Sequence, residues 1–445
     1  MKHIALLIPT LDRIGGAERQ VVALAKELPG RGWRVSVVAL SGTGGSAVAE
    51  LAEAGVEFLS LKMRKGLADP RGWISFSRWL RRQRPDVVHA HLPHAAWFAR
   101  WSRLASPARV VVDTLHSAST GAIGRRLGYR FSGWLGDRVT AVSQAAADTH
   151  MAAGMTSAAK LTVLANGVDT EAWQPFPGLQ RCPSVDSSVD DEFLWLAAGR
   201  LEPVKDYPTL LLALAGLPDR ARLVIAGAGP ELGSLQQLSN RLGLQRRVKF
   251  LGFEPSVRPW MQAADGFVLS SLWEGLPIGL LEACACGLPA VATDVPGTRE
   301  VIGPLGNGWL TPVGDADALR AAMAALMLTP RNERKAMGLR ARTAVEDRFS
   351  IRAILNQWDT LYEQLLAQNP APRRCGRRLV CPGLPSGRLA PLAELCHKSA
   401  SETARAEPKQ RGLLISPLRQ AQIARLHLCQ NLLHRDEFVR RCAEE

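Results

Sequence analysis

Two glutamates stand eight positions apart in the segment WEGLPIGLLE, which runs from Trp273 to Glu282. We expect Glu274 to lie just before the N-terminus of a helix and Glu282 to lie about two turns inside it. A helix N-terminus offers unpaired amides and a partial positive charge, so it suits a phosphate group. Carboxylates on either side would accept hydrogen bonds from hydroxyls. A phosphate with hydroxyls on both sides describes a nucleotide-sugar.

The residues between the two glutamates fit this interpretation. Pro277 suits the first position of a helix, where its missing N–H costs nothing. The amides of Leu276, Ile278 and Gly279 would then face the phosphate. Glycine in this segment would let the backbone approach the phosphate closely. The alternative is a pair of solvated glutamates in a strand–helix loop, which requires no ligand.

Two cations stand beside a strand that begins the second half of the chain. Arg200 follows that predicted strand directly, and Lys205 comes five residues later in the segment GRLEPVKD. A diphosphate leaving group gains negative charge as its bond breaks, so fixed cations there stabilise the transition state more than the ground state. The alternative is a surface arginine and lysine beside a loop. Two glycine turns, Gly15-Gly16 and Gly227-Ala228-Gly229-Pro230, have the positions of βα loops but are weak signals alone.

Four histidines fall close together: His89, His91, His94 and His116. His89 and His91 share one face of a predicted strand, which is a spacing that metal ligands use. Carboxylate or thiol ligands are not evident nearby, so the sequence does not favour a metal site. His116 follows the end of a strand, and we expect it to reach the ligand; the alternative is a hydrogen-bonded structural histidine.

Short apolar segments alternate with helical patterns along most of the chain, which predicts an α/β fold with parallel sheets. Two such series predict two doubly wound, Rossmann-like domains that face each other across a cleft. Ligands of such sheets bind outside the carboxyl ends of the strands. The predicted parts are a first domain at 1–175, a linker at 176–192, a second domain at 193–350, a terminal helix at 351–367 and an irregular basic tail at 368–445.

Composition narrows the classes of protein. The chain has 445 residues and a net charge of +14, and its basic excess lies in the first third and in the tail. Such a surface favours anionic lipid, nucleic acid or a polyanionic substrate. No apolar run approaches the roughly 20 residues of a membrane helix, and the first apolar run is too short for a signal peptide. Because the eight cysteines form no regular framework, we expect reduced thiols in a cytoplasmic protein.

The motifs in this order resemble the retaining glycosyltransferases of family 4, which have the GT-B fold. The resemblance spans roughly residues 1–367. It rests on Gly15-Gly16-Ala17-Glu18, the turn Asn166-Gly167-Val168-Asp169, Gly199-Arg200 with Lys205, Gly227–Pro230, and the pair Glu274 and Glu282.

The resemblance implies roles for individual residues. Glu282 would bind the ribose hydroxyls and Glu274 the hydroxyls of the donor sugar. Arg200 and Lys205 would hold the diphosphate, and His116 would lie beside the reacting sugar. The rest of the predicted donor site is Gly15, Gly16, Gly229, Leu276, Pro277 and Ile278.

The implied reaction moves a hexose from a nucleotide-diphosphate-sugar to an acceptor hydroxyl with retention of the anomeric configuration. The departing phosphate oxygen takes the acceptor's proton, so positioning and neutralisation of charge carry most of the catalysis. The family usually needs no metal, and no other cofactor is implied. The acceptor would be a glycan or a lipid-linked glycan of surface polysaccharide or glycolipid biosynthesis.

Tryptophans and arginines are interleaved in the first domain, which favours an anionic membrane surface as a partner. The tryptophans are Trp73, Trp79, Trp97, Trp101 and Trp134. We therefore expect a protein that docks peripherally at the inner face of the plasma membrane, and no nucleic acid partner. The alternative is a set of buried tryptophans with arginines on solvated helix faces. The tail could be a basic membrane arm, a disordered extension or the product of a shifted reading frame.

Other activities remain as rivals. A nucleotide-sugar 2-epimerase of similar fold would convert the donor without an acceptor. A non-catalytic nucleotide-sugar-binding protein would bind without turnover, although Arg200, Lys205, Glu274 and Glu282 together argue against a decayed site. A nicotinamide dehydrogenase is disfavoured because the first turn lacks the G-x-G-x-x-G fingerprint.

Overall fold

A computed structural model describes residues 1–370 except for 13–14, 65–68, 107, 118–119, 122, 176–191, 255 and 304–306. The linker predicted at 176–192 lies outside the described residues except for Glu192. The tail predicted at 368–445 lies outside them from residue 371 onward. None of the helices in the described ranges combines the length and the hydropathy of a membrane span.

The first half of the chain forms a parallel sheet with helices on its faces. Its strands are β1 (Lys2–Ile8), β2 (Trp33–Ala39), β3 (Glu57–Ser60), β4 (Val87–His91), β5 (Val110–Leu115), β6 (Arg138–Ala141) and β7 (Leu161–Val163). Its helices are α1 (Gly16–Glu27), α2 (Ala47–Glu53), α3 (Pro70–Gln83), α4 (Pro93–Ser102), α5 (Ile123–Ser132) and α6 (Gln144–Ala152). The strand order is β3-β2-β1-β4-β5-β6-β7.

The second half repeats this plan. Its strands are β8 (Phe193–Ala198), β9 (Ala221–Ala226), β10 (Val248–Gly252), β11 (Gly266–Leu269), β12 (Ala290–Thr293) and β13 (Gly308–Thr311). Its helices are α7 (Tyr207–Ala215), α8 (Leu232–Arg241), α9 (Arg258–Ala263), α10 (Ile278–Ala285), α11 (Pro296–Arg299), α12 (Ala316–Leu328) and α13 (Arg331–Phe349). The strand order is β10-β9-β8-β11-β12-β13, and a further helix, α14 (Ile351–Gln368), follows.

Both sheets have the doubly wound order, so the predicted fold class is confirmed. The central strands are apolar and buried on both faces, as covered parallel strands must be; in β1, for example, every residue from His3 to Ile8 is buried. The order reverses between β1 and β4 in the first sheet and between β8 and β11 in the second. At such a point the loops on either side diverge and leave a crevice for a ligand.

The polypeptide passes from the first sheet to the second after Val168 and returns at Ser350. The two crossings are hydrogen-bonded to each other: the Val168 amide donates to Phe349 O at 2.8 Å, and the Ile351 amide donates to Val168 O at 2.8 Å. Gly167 permits this approach, because a Cβ there would lie 2.9 Å from Ile351 Cα. The turn predicted at Asn166–Asp169 is therefore one half of a paired crossing.

The helix predicted at 351–367 is present as α14, and it packs back on the first sheet. Its buried residues join the same apolar core as β1 and β2. The Trp33 indole donates to Asp359 at 2.9 Å, and Tyr362 O–H lies 2.8 Å from His89 Nδ1. Helix α14, the last of the described helices, thus stabilises the first domain.

Removal of the chain beyond residue 373 is expected to leave activity unchanged. Residues Met1–Arg373 form one compact unit, and α14 closes it: Arg109 donates to Leu366 O at 2.7 Å and to Asn369 O at 2.5 Å. A cut after residue 367 would remove Asn369, so residue 373 is the better end point. Turnover and the melting temperature of the chain 1–373 measure this, and loss of soluble, active protein would contradict it.

Candidate functional site

The predicted cations and Glu274 lie at the strand-order reversal of the second sheet. Arg200 and Lys205 follow β8, and Glu274 follows β11, which is hydrogen-bonded to β8. Because both strands run in parallel, their carboxyl ends meet at one edge. The fold therefore brings these three residues into the crevice that the sequence predicted for the ligand.

Lys205 and Glu274 form the closest contact of the site. Lys205 Nζ lies 2.5 Å from Glu274 Oε1, and Ser271 Oγ donates to the same oxygen at 2.6 Å. Both charged side chains are largely but not fully buried, at 18% and 13% exposed. In a site partly shielded from water a charge-assisted hydrogen bond is strong. The pair therefore holds both side chains in fixed positions.

Backbone contacts hold the Lys205 loop against the loop after β11. The Leu272 amide donates to Val204 O, and Ser270 Oγ donates to Lys205 O, each at 2.8 Å. Asp206 then adopts a left-handed conformation, with φ of +46°, and α7 begins at Tyr207. The Tyr207 hydroxyl donates to Gly199 O at 3.1 Å. The loop that carries Lys205 is thus hydrogen-bonded at both ends to the edge of the sheet.

Helix α10 begins one residue later than predicted. Pro277 is its N-cap and Ile278 its first residue, so Glu282 is the fifth residue and lies little more than one turn inside the helix, not two. Glu282 is buried, and burial raises the pKa of its carboxyl group. Arg19 of α1 opposes that shift, with its Nη1 atom 2.6 Å from Glu282 Oε1. This ion pair joins the two halves of the protein.

The Gly15-Gly16 turn lies opposite the start of α10. A Cβ on Gly16 would lie 3.5 Å from Ile278 Cδ1, so the two turns are in contact distance. The Gly15 amide donates to the Glu18 carboxylate at 3.0 Å. Burial raises the pKa of Glu18, and the nearby Arg200 opposes that shift. Within its own loop, Arg200 pairs with Glu202 at 3.0 Å.

Gly229 has a structural reason for being glycine. A Cβ at this position would lie 2.2 Å from Leu201 O, and the Leu201 amide donates to Ala228 O at 3.0 Å. The loops after β8 and β9 thus lie against each other through their backbones. A role for Gly229 in donor binding stays a prediction, as do the roles of all the other predicted site residues.

His116 enters the site from the carboxyl end of β5. Its carbonyl oxygen would be 2.5 Å from a Cβ on Gly275, so the backbones of the two halves meet here. His91 Nδ1 lies 3.0 Å from His116 Nε2. Burial lowers the pKa of His116 to about 3 and that of His91 well below its usual value. Both rings are therefore neutral at physiological pH.

His89 is part of the same buried row but faces the core. Its ring nitrogens lie 2.8 Å from the Tyr362 hydroxyl and 2.6 Å from Thr114 Oγ1. Its partners are thus hydroxyls of α14 and β5. Within the described ranges, no three His, Cys, Asp or Glu side chains are grouped so that they could hold a metal ion.

The structure brings the predicted residues of both halves together and adds three partners that the sequence interpretation missed. Arg19 pairs with Glu282, Ser271 pairs with Glu274, and His91 contacts His116. Arg19 could have been suspected, because it follows Glu18 at the start of α1, whose N-terminus points into the cleft. Ser271 carries no motif, and its role depends on the geometry of the loop after β11.

Two family models match this chain. The model of Glycosyltransferase Family 4 matches residues 14–172, and that of Glycosyl transferases group 1 matches residues 184–344. The chain belongs to the family 4 glycosyltransferases, and its two facing sheets form the GT-B fold. It is a glycosyltransferase.

Relatives of known name are consistent with this class. N-acetyl-alpha-D-glucosaminyl L-malate synthase of Bacillus anthracis is 29% identical over 294 residues, which are 64% of this chain and 76% of that protein. Phosphatidyl-myo-inositol mannosyltransferase of Mycobacterium leprae is 29% identical over 344 residues, 73% of this chain and 87% of that protein. The structure of Anabaena HepE in complex with UDP and glucose has a TM-score of 0.71 at 24% identity, covering 81% of this chain and 99% of that one.

Proposed function

We propose that the protein transfers a hexose from a nucleotide-diphosphate-sugar to an acceptor hydroxyl with retention of the anomeric configuration. The observation that carries this proposal is the arrangement around the second sheet's crevice. The Lys205–Glu274 pair lies at the crevice, and the buried Glu282 lies one turn inside α10, with the Gly15-Gly16 turn and His116 opposite. A donor bound here would extend from Glu282 at its ribose to Glu274 at its sugar.

The proposed chemistry needs few proton-transferring groups. His116 is neutral, so it offers a hydrogen bond to the sugar rather than a charge. The departing phosphate oxygen takes the proton of the acceptor hydroxyl as the new glycosidic bond forms on the same face. Arg200 and Lys205 stabilise the negative charge that develops on the diphosphate. The proposal assigns this neutralisation to the two side chains and not to a metal ion.

We further propose that the acceptor is a glycan or a lipid-linked glycan and that the enzyme works as a peripheral protein at the inner face of the plasma membrane. The names of relatives support this, since the Mycobacterium leprae mannosyltransferase acts on phosphatidyl-myo-inositol. Three of the five tryptophans that suggested a membrane surface are exposed, namely Trp97, Trp101 and Trp134. Trp73 and Trp79 instead pack against the core of the first domain, where their role is structural.

A thermal-shift panel of UDP-, GDP- and ADP-glucose tests the donor class. Because a ligand that binds only the folded state raises the melting temperature, we expect at least one of the three to raise it by a few degrees. EDTA should leave both the shift and turnover unchanged. Proton NMR of the product, made with simple glycosides and short polyprenyl diphosphate sugars as acceptors, reports the anomeric configuration.

The same experiment separates the rivals. A product of inverted configuration would contradict the proposed retention. Conversion of the donor sugar without an acceptor would identify an epimerase, and binding without any product would identify a nucleotide-sugar-binding protein. No shift with any of the three nucleotides would contradict the proposed donor site.

A further inference from the structure

Helix α5 carries an apolar row that faces away from the protein. Helices on the surface of a domain normally turn their apolar side to the core. In α5 the buried residues are Tyr129 and Ser132. Large apolar side chains occupy the opposite side and continue into the next turn: Ile123 is 71% exposed, Leu127 47%, Phe131 68% and Trp134 60%.

The spacing of this row shows that its four exposed side chains share one side of the helix. Steps of four, four and three residues, at 100° per residue, place the four side chains on one face, opposite Tyr129. A shallow groove of about 260 Å³ lies along this face and is lined by residues of the row, two arginines and Ala153 of the segment after α6. No described element covers the row, so its apolar surface faces solvent in the isolated chain.

Helix α4 extends the apolar surface. Trp97 donates its indole N–H to Gly128 O at 3.0 Å, so α4 and α5 lie side by side. Trp97, Trp101 and Leu104 follow at helical spacing and are 37%, 36% and 60% exposed. A continuous exposed apolar surface of this kind marks an interaction site.

The charged residues of α5 itself are all arginines. Arg125, Arg126 and Arg130 are exposed on α5. The sequence contains no Asp or Glu between Thr114 and Gly136, and Asp113, just before that stretch, is buried and paired with Arg100. An apolar row with tryptophan and phenylalanine, beside three exposed arginines, is complementary to the interface of an anionic lipid bilayer.

We propose that the α5 face, defined as Ile123, Leu127, Phe131 and Trp134 with the flanking arginines, inserts into the interface of an anionic lipid bilayer. The inference rests on the proposed peripheral location but not on the identity of the donor. In the chain, the helix begins seven residues after His116. Docking through this face therefore places the acceptor side of the cleft next to the bilayer, where a lipid-linked acceptor enters.

Vesicle flotation of the full chain tests the proposal. We expect the wild type to float with vesicles of phosphatidylcholine and phosphatidylglycerol at low salt, and much less with phosphatidylcholine alone. Leu127→Ser with Phe131→Ser should weaken the partition by about tenfold or more, because each buried apolar side chain contributes on that scale. Arg126→Gln with Arg130→Gln should weaken it mainly at low salt.

Matched controls come from the second half of the chain. Phe253→Ser removes a side chain that is 62% exposed, and Arg241→Gln with Arg246→Gln removes two exposed charges. These variants should float like the wild type. Equal flotation of the Leu127→Ser, Phe131→Ser variant and the wild type would overturn the proposal, even if the full chain binds, because the binding would then lie elsewhere. No binding by the wild type would also overturn it.

Donor binding is followed on the same samples, as the thermal shift with UDP-, GDP- and ADP-glucose. The shift should be unchanged in the α5 variants, which also shows that they are folded. If the wild type floats but shows no shift, the proposed donor site fails and the docking proposal stands. If it shows a shift but does not float, the reverse holds.

Discussion

Replacement of Lys205 by alanine is expected to lower turnover by about a hundredfold or more, which is the scale of losing one fixed electrostatic contact to the transition state. The ammonium group is held at the crevice by Glu274 at 2.5 Å. In the proposed reaction, the negative charge that Lys205 faces increases as the diphosphate leaves. The variant should therefore show a large fall in kcat and a much smaller rise in KM.

Glu274→Ala should cost a similar factor, because the proposed sugar contact and the anchor of Lys205 are both removed. The two residues act as a unit, so the double variant should lose much less than the product of the single losses. Lys335→Ala is the matched control: Lys335 is an exposed lysine on α13, and its loss should leave turnover unchanged. Near-normal turnover in both single variants would contradict the assignment.

The largest expected effect on stability belongs to the buried pair Arg100 and Asp113. Arg100 is 1% exposed and Asp113 is 0% exposed, and the guanidinium also donates to Tyr129 O at 3.2 Å and to Ser132 Oγ at 3.1 Å. Removing one member of such a pair leaves an unpaired buried charge. Asp113→Ala is therefore expected to lower the free energy of unfolding by about 3–5 kcal/mol, as measured by urea denaturation.

Two further variants test whether the loss of stability comes from the buried charge. Arg100→Met with Asp113→Leu removes both charges and should recover much of the loss, because buried apolar residues can replace a buried ion pair. Glu363→Ala breaks the exposed pair with Lys2 and should cost less than about 1 kcal/mol. Equal losses in the single and the double variant of the buried pair would show that packing, not charge, determines the effect.

This pair also connects stability to docking. Because Arg100 of α4 bonds to Asp113 of β5 and to two residues of α5, it fixes the helix that carries the exposed apolar row. Tyr129 and Ser132, which receive these bonds, are the buried residues of α5. The outward side of α5 is thus available to a partner, while the Arg100–Asp113 ion pair holds the helix in place.

The sequence predicted the fold because apolar strands and glycine turns are local signals. Strands such as β1 and β8 are short apolar segments between turn residues, and the sheet order follows from their alternation with helices. Other elements lack such a signal. Nearly half of the residues of helix α13 are charged, and β13, with the sequence GWLT, is too short to stand out.

The site residues that belong to a sequence motif could be predicted. The contacts that arise from tertiary packing could not. Glu274, Lys205 and Arg200 follow strand ends, so chain order alone places them at one sheet edge. The Arg19–Glu282 pair joins residues 263 positions apart, and nothing local indicates it. The direction of the α5 row was likewise hidden, because a helical apolar period does not reveal which face meets the core.

The paired crossing at Val168 and Ser350 determines how the two halves can move. Since the only described passages between the sheets are bonded to each other, they act as a single two-stranded pivot. Rotation about this pivot changes the width of the cleft at its far edge while the residues near it barely shift. A donor that displaces Arg19 from Glu282 would therefore exchange one bridge between the halves for another, and the free energy of its binding would include that of the ion pair it replaces.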